Sequence, residues 1–263
     1  MTLDQFYTCP NLAKGYAAQV MARWADPDVL FVEPSAGTGA FLHPLRDAGR
    51  KVRAVDIDPA CQGVDRTDFL QTRRIFAGDH PAVVTIGNPP FGKNASLAVR
   101  FFNHAAAHSD EIAFVVPRTF RKISLQARLH RKFHLTHDKD VGQHAFLRGG
   151  VPYDVPCAWQ IWTRHKADRP AWEPPCIDHL VRFTPPDQAS FAMRRVGYYA
   201  GRILTEHLRN LSVTTHYFMR EEVAGVIDTL RKVDWSEVAS RTVGTRSLSK
   251  SEIAFKLSEM YNA

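Results

Sequence analysis

The chain has 263 residues, 44% of them hydrophobic, which is enough to bury a core in one large domain or two modest ones. It has no apolar run that could span a bilayer, no N-terminal signal peptide and no C-x-x-C pair among its 4 cysteines. These features exclude a membrane-spanning protein, a disulfide framework and a cysteine zinc site, so we expect a cytoplasmic protein. The 12 histidines show no metal-ligand spacing, and we expect no metal.

The net charge of +7 is concentrated in one part of the chain. Residues 117–169 carry 11 Lys and Arg against 4 Asp and Glu, whereas residues 1–116 carry 11 against 12. Such an excess is typical of a protein that binds a polyanion. A solvated basic face would have the same composition, so the charge alone leaves both interpretations open.

The segment from Asp4 to Trp24 contains the sequence F-Y-T-C-P and is then predicted to be helical, because apolar residues recur at helical spacing from Leu12 onward. Thr8 and Pro10 stand directly before this helix, where a capping residue and a first-turn proline are common. An ordinary helix cap therefore explains this pair as well as a binding role does.

Val29–Glu33 is predicted as the first strand, followed by E-P-S-A-G-T-G-A-F. Gly37 and Gly39 would let the backbone turn tightly and approach a ligand closely. The next helix is predicted to begin there, with its N-terminus facing the ligand. Leu42 stands where a dinucleotide-binding loop would need its third glycine, which argues against nicotinamide and flavin dinucleotides.

Lys51–Asp56 is predicted as the second strand. Asp56 at its end is placed to accept hydrogen bonds from both hydroxyls of a ribose, about twenty residues after the glycines, as in doubly wound folds. The sequence Thr67-Asp68-Phe69-Leu70 follows.

Val83–Gly87 is a short apolar run with β-branched members, as in a strand buried in a parallel sheet. It leads into Asn88-Pro89-Pro90-Phe91. The two prolines end the strand because neither can donate a backbone hydrogen bond. An amide and an aromatic ring are thereby predicted at the carboxyl end of a strand, where open α/β sheets bind ligands.

This tetrapeptide resembles the catalytic motif of the amino-methyltransferases, which transfer a methyl group from S-adenosylmethionine to a planar amide or an exocyclic amine. The resemblance implies that the Asn88 side-chain oxygen and the Pro89 carbonyl accept hydrogen bonds from the amine, which favours a localised lone pair on its nitrogen. It also implies that Phe91 stacks on the base. The candidate catalytic residues are therefore Asn88, Pro89, Pro90 and Phe91.

The upstream segments resemble the cofactor motifs of the same family, in the same order. The resemblance implies that Thr8, with Phe6 beside it, contacts the methionine carboxylate of the cofactor, and that Asp56 binds its ribose. It further implies that Asp68 accepts a hydrogen bond from the adenine amine of the cofactor while the neighbouring apolar side chain packs on the ring. The candidate cofactor-binding residues are Thr8, Glu33, Gly37, Gly39, Asp56, Asp68 and Phe69.

Downstream, Asn94 is predicted to cap a helix that continues to His108, and Glu111–Pro117 is predicted as another buried strand. A helix over 120–133 is predicted to pack on the sheet and to turn a basic face outward. His134–Asp140 and Val155–Thr163 are predicted as the last two strands, an edge hairpin.

Five residues are candidate substrate contacts. Lys93, Arg121 and Lys122 are candidates for phosphate contacts, although a solvated loop position explains Lys93 equally well. In the resembled family an aromatic residue near the last hairpin packs against the everted base, and Phe146 and then Tyr153 are the candidates here. A place in the hairpin core would explain each of these two aromatic residues without a binding role.

Residues 167–187 are rich in proline and are predicted to form a connection. Residues 188–263 are predicted as an α+β extension that could take part in substrate recognition. Its predicted elements are strands at F-A-M-R-R-V and T-T-H-Y-F-M-R, a helix from Glu221 to Lys232, and a last helix that begins at Ser249 with Glu252 completing a capping box.

Residues 1–166 are thus expected to form an S-adenosylmethionine-binding catalytic domain with the class I methyltransferase fold, a doubly wound, mostly parallel seven-stranded sheet with an antiparallel last strand. The motif order resembles that of the γ-type N(6)-adenine DNA methyltransferases, which implies adenine in nucleic acid as the substrate, with DNA favoured. RNA stays open as a substrate, because the extension is shorter than the recognition domains of many DNA enzymes. A protein-glutamine methyltransferase and a catalytically silent nucleic-acid-binding adaptor also stay open.

Overall fold

The computed structural model describes residues 6–261. The chain divides into two compact units. The first comprises the chain up to Phe120 together with Leu125–Ala171, and the second comprises Arg121–Ser124 together with the chain from Trp172 onward.

The elements up to residue 164 are, in chain order, β1 (Tyr7–Thr8), α1 (Pro10–Arg23), β2 (Leu30–Glu33), α2 (Leu42–Asp47), β3 (Lys51–Asp56), β4 (Asp65–Arg66), β5 (Val83–Gly87), α3 (Ser96–Ala106), β6 (Glu111–Pro117), α4 (Ile123–Gln126), β7 (Phe133–Asp140), β8 (Phe146–Arg148), β9 (Val151–Tyr153) and β10 (Cys157–Arg164). Short 3-10 turns lie at 69–71, 74–76, 93–95 and 118–121.

Seven of these strands form one sheet in the order β4-β3-β2-β5-β6-β10-β7. The pairs among β2 to β6 are parallel, and β10 runs antiparallel to both of its neighbours. Successive side chains of a strand point to opposite faces of the sheet, and both faces are covered by helices. Leu30 and Val32 pack in one apolar cluster with Phe102 of α3, and Phe31 packs in another with Val20 of α1. The predicted fold class is therefore confirmed.

The strands predicted over 51–56, 83–87 and 111–117 have the predicted bounds, and the other three predicted strands of this sheet shift by one or two residues at their ends. The predicted edge hairpin differs in one respect, since only β7 is at the edge and β10 lies between β6 and β7. The predicted loop between these strands contains β8 and β9. In a small antiparallel sheet, β8 lies between β1 and β9 and pairs with both.

The first helix begins at Pro10, close to the predicted start after F-Y-T-C-P, and residues 4 and 5 of the predicted segment lie outside the described part of the chain. Cys9 occupies the N-cap position and Pro10 the first helical turn, so Thr8 is not the cap. Thr8 instead pairs with Phe146 in the small sheet.

Asn94 does not cap the third helix, so that prediction is wrong. Asn94 and Ala95 have left-handed φ values of 53° and 59°, and the helix begins at Ser96. The cap is supplied from further upstream, because the Phe91 carbonyl accepts hydrogen bonds from the backbone N–H groups of Leu97 at 3.1 Å and Ala98 at 3.3 Å. The catalytic-motif candidate Phe91 is thereby tied to the start of α3.

The helix predicted over 120–133 is also wrong, since only the four residues of α4 are α-helical there. Side chains distant in sequence occupy carbonyl groups that a continuous helix would use. Asn103 donates to the Arg128 carbonyl at 2.9 Å, and Arg169 donates to the Gln126 and Leu129 carbonyls at 3.1 and 3.2 Å. These three carbonyl groups are therefore satisfied without the hydrogen bonds of a continuous helix.

The second unit contains β11 (Val181–Phe183), β12 (Phe191–Arg194), β13 (Ile203–Leu204), β14 (His216–Glu221), α5 (Val226–Lys232), α6 (Trp235–Ala239) and α7 (Lys250–Tyr261). Its four strands form an antiparallel sheet in the order β11-β14-β12-β13 over a core of its own. One strand, β11, lies inside the stretch predicted as a connection.

Both strands predicted in this unit are present, and the capping box is confirmed. Ser249 Oγ and the Ser249 backbone N–H both donate to Glu252 Oε2 at 2.8 Å, and the Glu252 N–H donates back to Ser249 Oγ at 3.2 Å. The helix predicted from Glu221 begins only at Val226, because Glu221 is still in β14 and Gly225 has a φ of 91°.

Candidate active site

Three predicted site residues lie at or directly after the carboxyl ends of neighbouring strands of the sheet. Glu33 ends β2, Asp56 ends β3 and Asn88 comes directly after β5. Since β3, β2 and β5 are adjacent and parallel, their carboxyl ends meet at one edge. The fold therefore brings these three polar side chains to the edge where open α/β sheets bind ligands.

The loop after β2 requires its two predicted glycines. Gly37 and Gly39 have φ values of 50° and 80°. A Cβ on Gly37 would lie 2.7 Å from the Tyr7 ring, and one on Gly39 would lie 2.7 Å from His43 Nε2. Any other residue would therefore strain the backbone and collide with a neighbour.

Asp56 holds this loop against the end of β3. Its Oδ2 accepts a hydrogen bond from the Gly37 N–H at 2.7 Å, and its Oδ1 accepts one from the Asp58 N–H at 2.8 Å. Each carboxylate oxygen keeps a second lone pair, so Asp56 can still accept from a ligand hydroxyl.

Glu33 is a buried carboxyl at the centre of the edge. Burial raises its pKa well above the ordinary range of a glutamate, and the nearby Asp56 carboxylate raises it further, while hydrogen bonds from the Phe41 and Leu42 N–H groups oppose the shift. The helix predicted to begin at the glycines begins only at Leu42, and its first N–H groups face Glu33. The Oε2 atom of Glu33 has no hydrogen-bond partner among residues 6–261.

Asn88 is held from two sides. Its Nδ2 donates to the Phe6 carbonyl at 3.0 Å, and its own carbonyl accepts from Ser35 Oγ at 3.0 Å. The first bond fixes the amide group, while the buried Oδ1 has no partner within the described chain. Pro89 is buried, and Pro90 and Phe91 are half-buried. The motif therefore presents an oriented acceptor with an unused lone pair.

Thr8 provides another unsatisfied atom. It is buried in β1, and its Oγ1 finds no hydrogen-bond partner in the described residues. Buried polar atoms are nearly always hydrogen-bonded in folded proteins, because an unpaired one costs about 1–3 kcal/mol. The unpaired oxygens of Thr8, Glu33 and Asn88 are therefore the marks of a polar ligand site.

Two of the predicted aromatic contacts lie in the core. Phe69 is 1% exposed and its ring lies 5.2 Å from that of Phe101 and 4.8 Å from that of His104. Phe146 is completely buried. Neither ring faces open space, and the half-buried side chain beside Asp68 is Leu70. Asp68 itself uses Oδ1 to cap the following turn, where it accepts from the Leu70 N–H at 2.9 Å.

Tyr153, the second aromatic candidate, lies at the surface with 41% of its area exposed. Its ring stacks on Phe6 at 5.1 Å, with an angle of 14° between the planes. The Arg148 guanidinium lies 5.8 Å from the Phe6 ring and 5.7 Å from the Tyr153 ring. Because the Phe6 carbonyl holds Asn88, this stack belongs to the same site.

The sequence did not indicate Ser35 or Arg148. One signal for Arg148 was available, since it precedes Gly149-Gly150, a pair typical of a tight hairpin turn between two short strands. Both glycines have positive φ in the structure, 56° and 81°. The contact of Ser35 with the Asn88 backbone depends on a loop fold that no local pattern predicts.

Of the three predicted phosphate contacts, Arg121 and Lys122 do not lie on the basic helix predicted for them. Lys93 is exposed on a 3-10 turn, and Arg121 and Lys122 belong to the second unit. Lys122 Nζ lies 3.1 Å from Glu252 Oε2, and the two side chains are only 15% and 7% exposed. Lys122 is therefore paired within its own unit, and its role as a phosphate contact stays a prediction.

S-Adenosylmethionine fits this edge. The ligand carries an ammonium group, a carboxylate, two ribose hydroxyls and an adenine amine, and the site offers a buried carboxyl, an unpaired hydroxyl and further acceptors at Asp56 and Asp68. The residues described contain no cluster of His, Cys, Asp and Glu that could hold a metal. No helix between residues 6 and 261 is long and apolar enough to cross a membrane.

No protein-family model matches the chain, and no curated protein matches it. Many solved structures resemble it in fold, and three of them illustrate the likeness. The modification subunit of a provisionally assigned type I restriction enzyme from Vibrio vulnificus is 17% identical over 61% of this chain and 44% of its own, with a TM-score of 0.46. A provisionally assigned RNA methyltransferase from Pyrococcus horikoshii is 16% identical over 62% and 87%, with a TM-score of 0.48.

The third structure is a provisionally assigned class I S-adenosylmethionine-dependent methyltransferase from Listeria monocytogenes, which is 12% identical over 63% of this chain and 64% of its own, with a TM-score of 0.47. This chain thus spans less than half of the Vibrio protein. A likeness of fold at such low identity carries no substrate or activity with it, so the function must be argued from the residues of the site.

Proposed function

We propose that the first unit transfers a methyl group from S-adenosylmethionine to the exocyclic amino group of adenine in nucleic acid, with DNA favoured. One observation carries the proposal. The Asn88 amide is anchored through Nδ2 to the Phe6 carbonyl, and its buried Oδ1 is left without a partner among the described residues. Such an acceptor suits a ligand that brings its own N–H group.

The chemistry explains why an oriented amide oxygen is useful. The lone pair of an exocyclic amine is delocalised into the ring, which makes the nitrogen a poor nucleophile. Acceptance of its N–H groups by Asn88 Oδ1 and the Pro89 carbonyl favours a pyramidal nitrogen with a localised lone pair. These acceptors stabilise the positive charge that develops on the nitrogen during transfer. The cofactor would supply the methyl group from a sulfonium, whose S–C bond would break as the N–C bond forms, with the electron pair left on sulfur as a thioether. The methylated nitrogen would then lose one N–H proton to solvent.

The cofactor contacts follow from the same edge. Glu33 would face the ammonium group of the methionine part, and Thr8 Oγ1 would donate to its carboxylate. Asp56 would accept from the ribose hydroxyls. Asp68 would accept from the adenine amine through Oδ2, and the half-buried Leu70 would pack on the adenine ring in place of the buried Phe69.

The substrate base would be held by aromatic rings. Phe91 is half-buried beside Asn88, and the exposed Tyr153 is stacked on Phe6. Stacking of a base on an aromatic ring contributes about 1–3 kcal/mol. A silent adaptor would have no use for an unpaired buried amide oxygen, because such an atom destabilises the fold. The site therefore favours an enzyme over the adaptor.

The proposal is tested by transfer of a radiolabelled methyl group to duplex DNA, single-stranded DNA, RNA and protein in parallel. We expect label in nucleic acid and none in protein. Label in protein alone would favour a glutamine methyltransferase. Absence of transfer to every substrate, with S-adenosylmethionine bound, would contradict the proposal.

A further inference from the structure

A turn in the second unit holds two exposed aromatic side chains, Tyr198 and Tyr199. The turn joins β12 to β13 at the edge of the sheet. The two side chains are 77% and 57% exposed, and their rings meet edge to face at 5.2 Å. These exposed rings contribute nothing to the core of the unit, so packing does not explain why aromatic residues stand at these positions.

The backbone of this turn is fixed. Gly197 and Gly201 adopt φ values of 91° and 98°, and the Gly201 N–H donates to the Arg194 carbonyl at 2.7 Å. A side chain at Gly201 would overlap Trp235. The Gly197 N–H also donates to the Arg246 carbonyl at 2.9 Å. The tyrosines are therefore presented on a rigid support, which lowers the entropy cost of binding a ligand.

Cations accompany the aromatic rings. The Arg246 guanidinium lies 5.4 Å from the Tyr198 ring, and the Arg202 guanidinium lies 5.9 Å from the Tyr199 ring. Beside them, Arg195 lies 4.7 Å from the Tyr217 ring, and Lys250 Nζ lies 4.5 Å from the Phe183 ring. Each of these four cations thus lies over an aromatic ring. We name the group formed by Tyr198, Tyr199, Arg195, Arg202, Arg246 and Lys250 the Tyr-Arg surface.

The cations of the Tyr-Arg surface differ from four other arginines of the unit. Arg182, Arg220, Arg231 and Arg241 each pair with a carboxylate. Within the described chain no carboxylate lies within 4.0 Å of a cation of the Tyr-Arg surface. Residues 188–205 contain 3 arginines and no acidic residue. The positive charge here is not neutralised internally.

We propose that the Tyr-Arg surface binds unpaired nucleotides of a nucleic-acid strand. Aromatic rings stack on bases of any identity, and arginines beside them contact the phosphates. The bases of a duplex are stacked on each other, so a duplex would engage the cations but not the tyrosines. This inference rests on the proposed function, because it specifies single-stranded or locally opened nucleic acid as the substrate of the proposed methyltransferase.

The test uses the full chain with a fluorescently labelled single-stranded oligonucleotide and its duplex, without cofactor, over a series of salt concentrations. Replacement of both tyrosines (Tyr198→Ala with Tyr199→Ala) should weaken single-strand binding by about fivefold or more for each base that stacks. Duplex binding should change much less. The double change to phenylalanine should retain single-strand affinity, because it keeps both rings.

The arginines have a separate signature. Arg202→Gln with Arg246→Gln should reduce the slope of log affinity against log salt by about 1.4 on the single strand, since each phosphate contact contributes about 0.7. Tyr261→Ala and Arg231→Gln are matched controls on exposed residues of the same unit and should leave affinity and slope unchanged.

Unchanged single-strand affinity in the tyrosine double variant would overturn the inference, as would an equal loss on single strand and duplex. Displacement of the oligonucleotide by a proline-rich peptide that binds more tightly would identify a protein partner and would also overturn it. The outcome is separable from that of the proposed function, because binding is measured without methyl transfer.

Discussion

The carboxyl edge of the sheet in the first unit and the basic segment 117–133 contrast in how their polar groups are satisfied. At the edge, the oxygens of Thr8, Glu33 and Asn88 are buried without partners among the described residues. In the basic segment, Arg118 lies 3.1 Å from Asp140, and Lys122 lies 3.1 Å from Glu252. The oxygens at the edge can still accept or donate a hydrogen bond to a ligand, whereas part of the charge of the segment is paired within the protein.

The comparison changes how the sequence charge should be interpreted. The excess of Lys and Arg in residues 117–169 favoured a nucleic-acid surface, yet a charge that is paired within the protein attracts a polyanion only weakly. The cations of the Tyr-Arg surface come from a part of the chain with little net charge, 11 Lys and Arg against 9 Asp and Glu in residues 183–263. The count of charged residues alone therefore does not show which cations are unpaired.

The largest expected effect is at the edge. Asn88→Ala removes the acceptor that stabilises the developing charge, so methyl transfer should fall by about 10²–10³-fold. Affinity for S-adenosylmethionine should stay nearly constant. Single-turnover transfer and calorimetry measure the two quantities, with Asn11→Ala, a change at an exposed residue of α1, as the matched control. Near-normal transfer by Asn88→Ala would remove this residue from the catalytic site.

The next effect is in the basic segment. Lys122→Ala leaves the buried Glu252 carboxylate without its cation and should lower the free energy of unfolding by about 3 kcal/mol. Arg128→Ala, an exposed residue of the same segment, should change it by less than about 0.5 kcal/mol. Urea unfolding measures both variants. Equal stability of the two would mean that Lys122 is ordinary surface charge.

Glu33 provides a smaller effect that depends on pH. The folded protein binds the Glu33 proton more tightly than the unfolded chain, so the stability from this group is fully present below pH of about 4.5 and is lost as the pH rises through the raised folded pKa. Each unit of the raised pKa corresponds to about 1.4 kcal/mol.

Glu33→Gln does not titrate, so the cofactor-free variant should be more stable than wild type at neutral pH, with the difference vanishing near pH 4. Its affinity for S-adenosylmethionine should fall, because the charge opposite the ammonium group is gone. Thermal unfolding across pH measures the gain in stability, and calorimetry measures the loss of affinity for S-adenosylmethionine. A variant less stable than wild type at neutral pH would contradict the assignment of a strained, buried carboxyl.

The smallest effect concerns the exposed remainder of the basic segment. Arg128→Gln should reduce the salt slope of duplex binding by at most about 0.9, the contribution of a single phosphate contact. Fluorescence anisotropy at several salt concentrations measures the slope, with the lysine variant Arg128→Lys as a control that keeps the charge. A larger reduction would restore this segment as a main nucleic-acid contact.

The sheet could be predicted because its strands are local patterns. Val83–Gly87 and Glu111–Pro117 are short apolar runs bounded by turn or proline signals, and their bounds are those predicted. The helix over 120–133 could not be excluded from its own sequence. Its periodicity is helical, and the side chains of Asn103 and Arg169 that occupy its carbonyls come from elsewhere in the chain.

The candidate site was predictable to the same extent. The sequence indicated Glu33, Asp56 and Asn88, because strand ends and a short motif locate them. It ranked Phe146 ahead of Tyr153, whereas the structure buries Phe146 and exposes Tyr153. That difference depends on the pairing of β1 with β8, which joins residues far apart in the chain. The exposure of a side chain that depends on pairing between distant strands cannot be predicted from local sequence patterns.

The most direct test of the proposed chemistry is the identity of the methylated product. Nucleic acid treated with the wild-type protein and S-adenosylmethionine should be digested to nucleosides and analysed by mass spectrometry, with Asn88→Ala protein as the control. We expect adenine methylated at its exocyclic nitrogen in the wild-type reaction and only a trace with Asn88→Ala. Methyl groups on another base or on a ring atom, or equal product from both proteins, would contradict the role of the Asn88 amide.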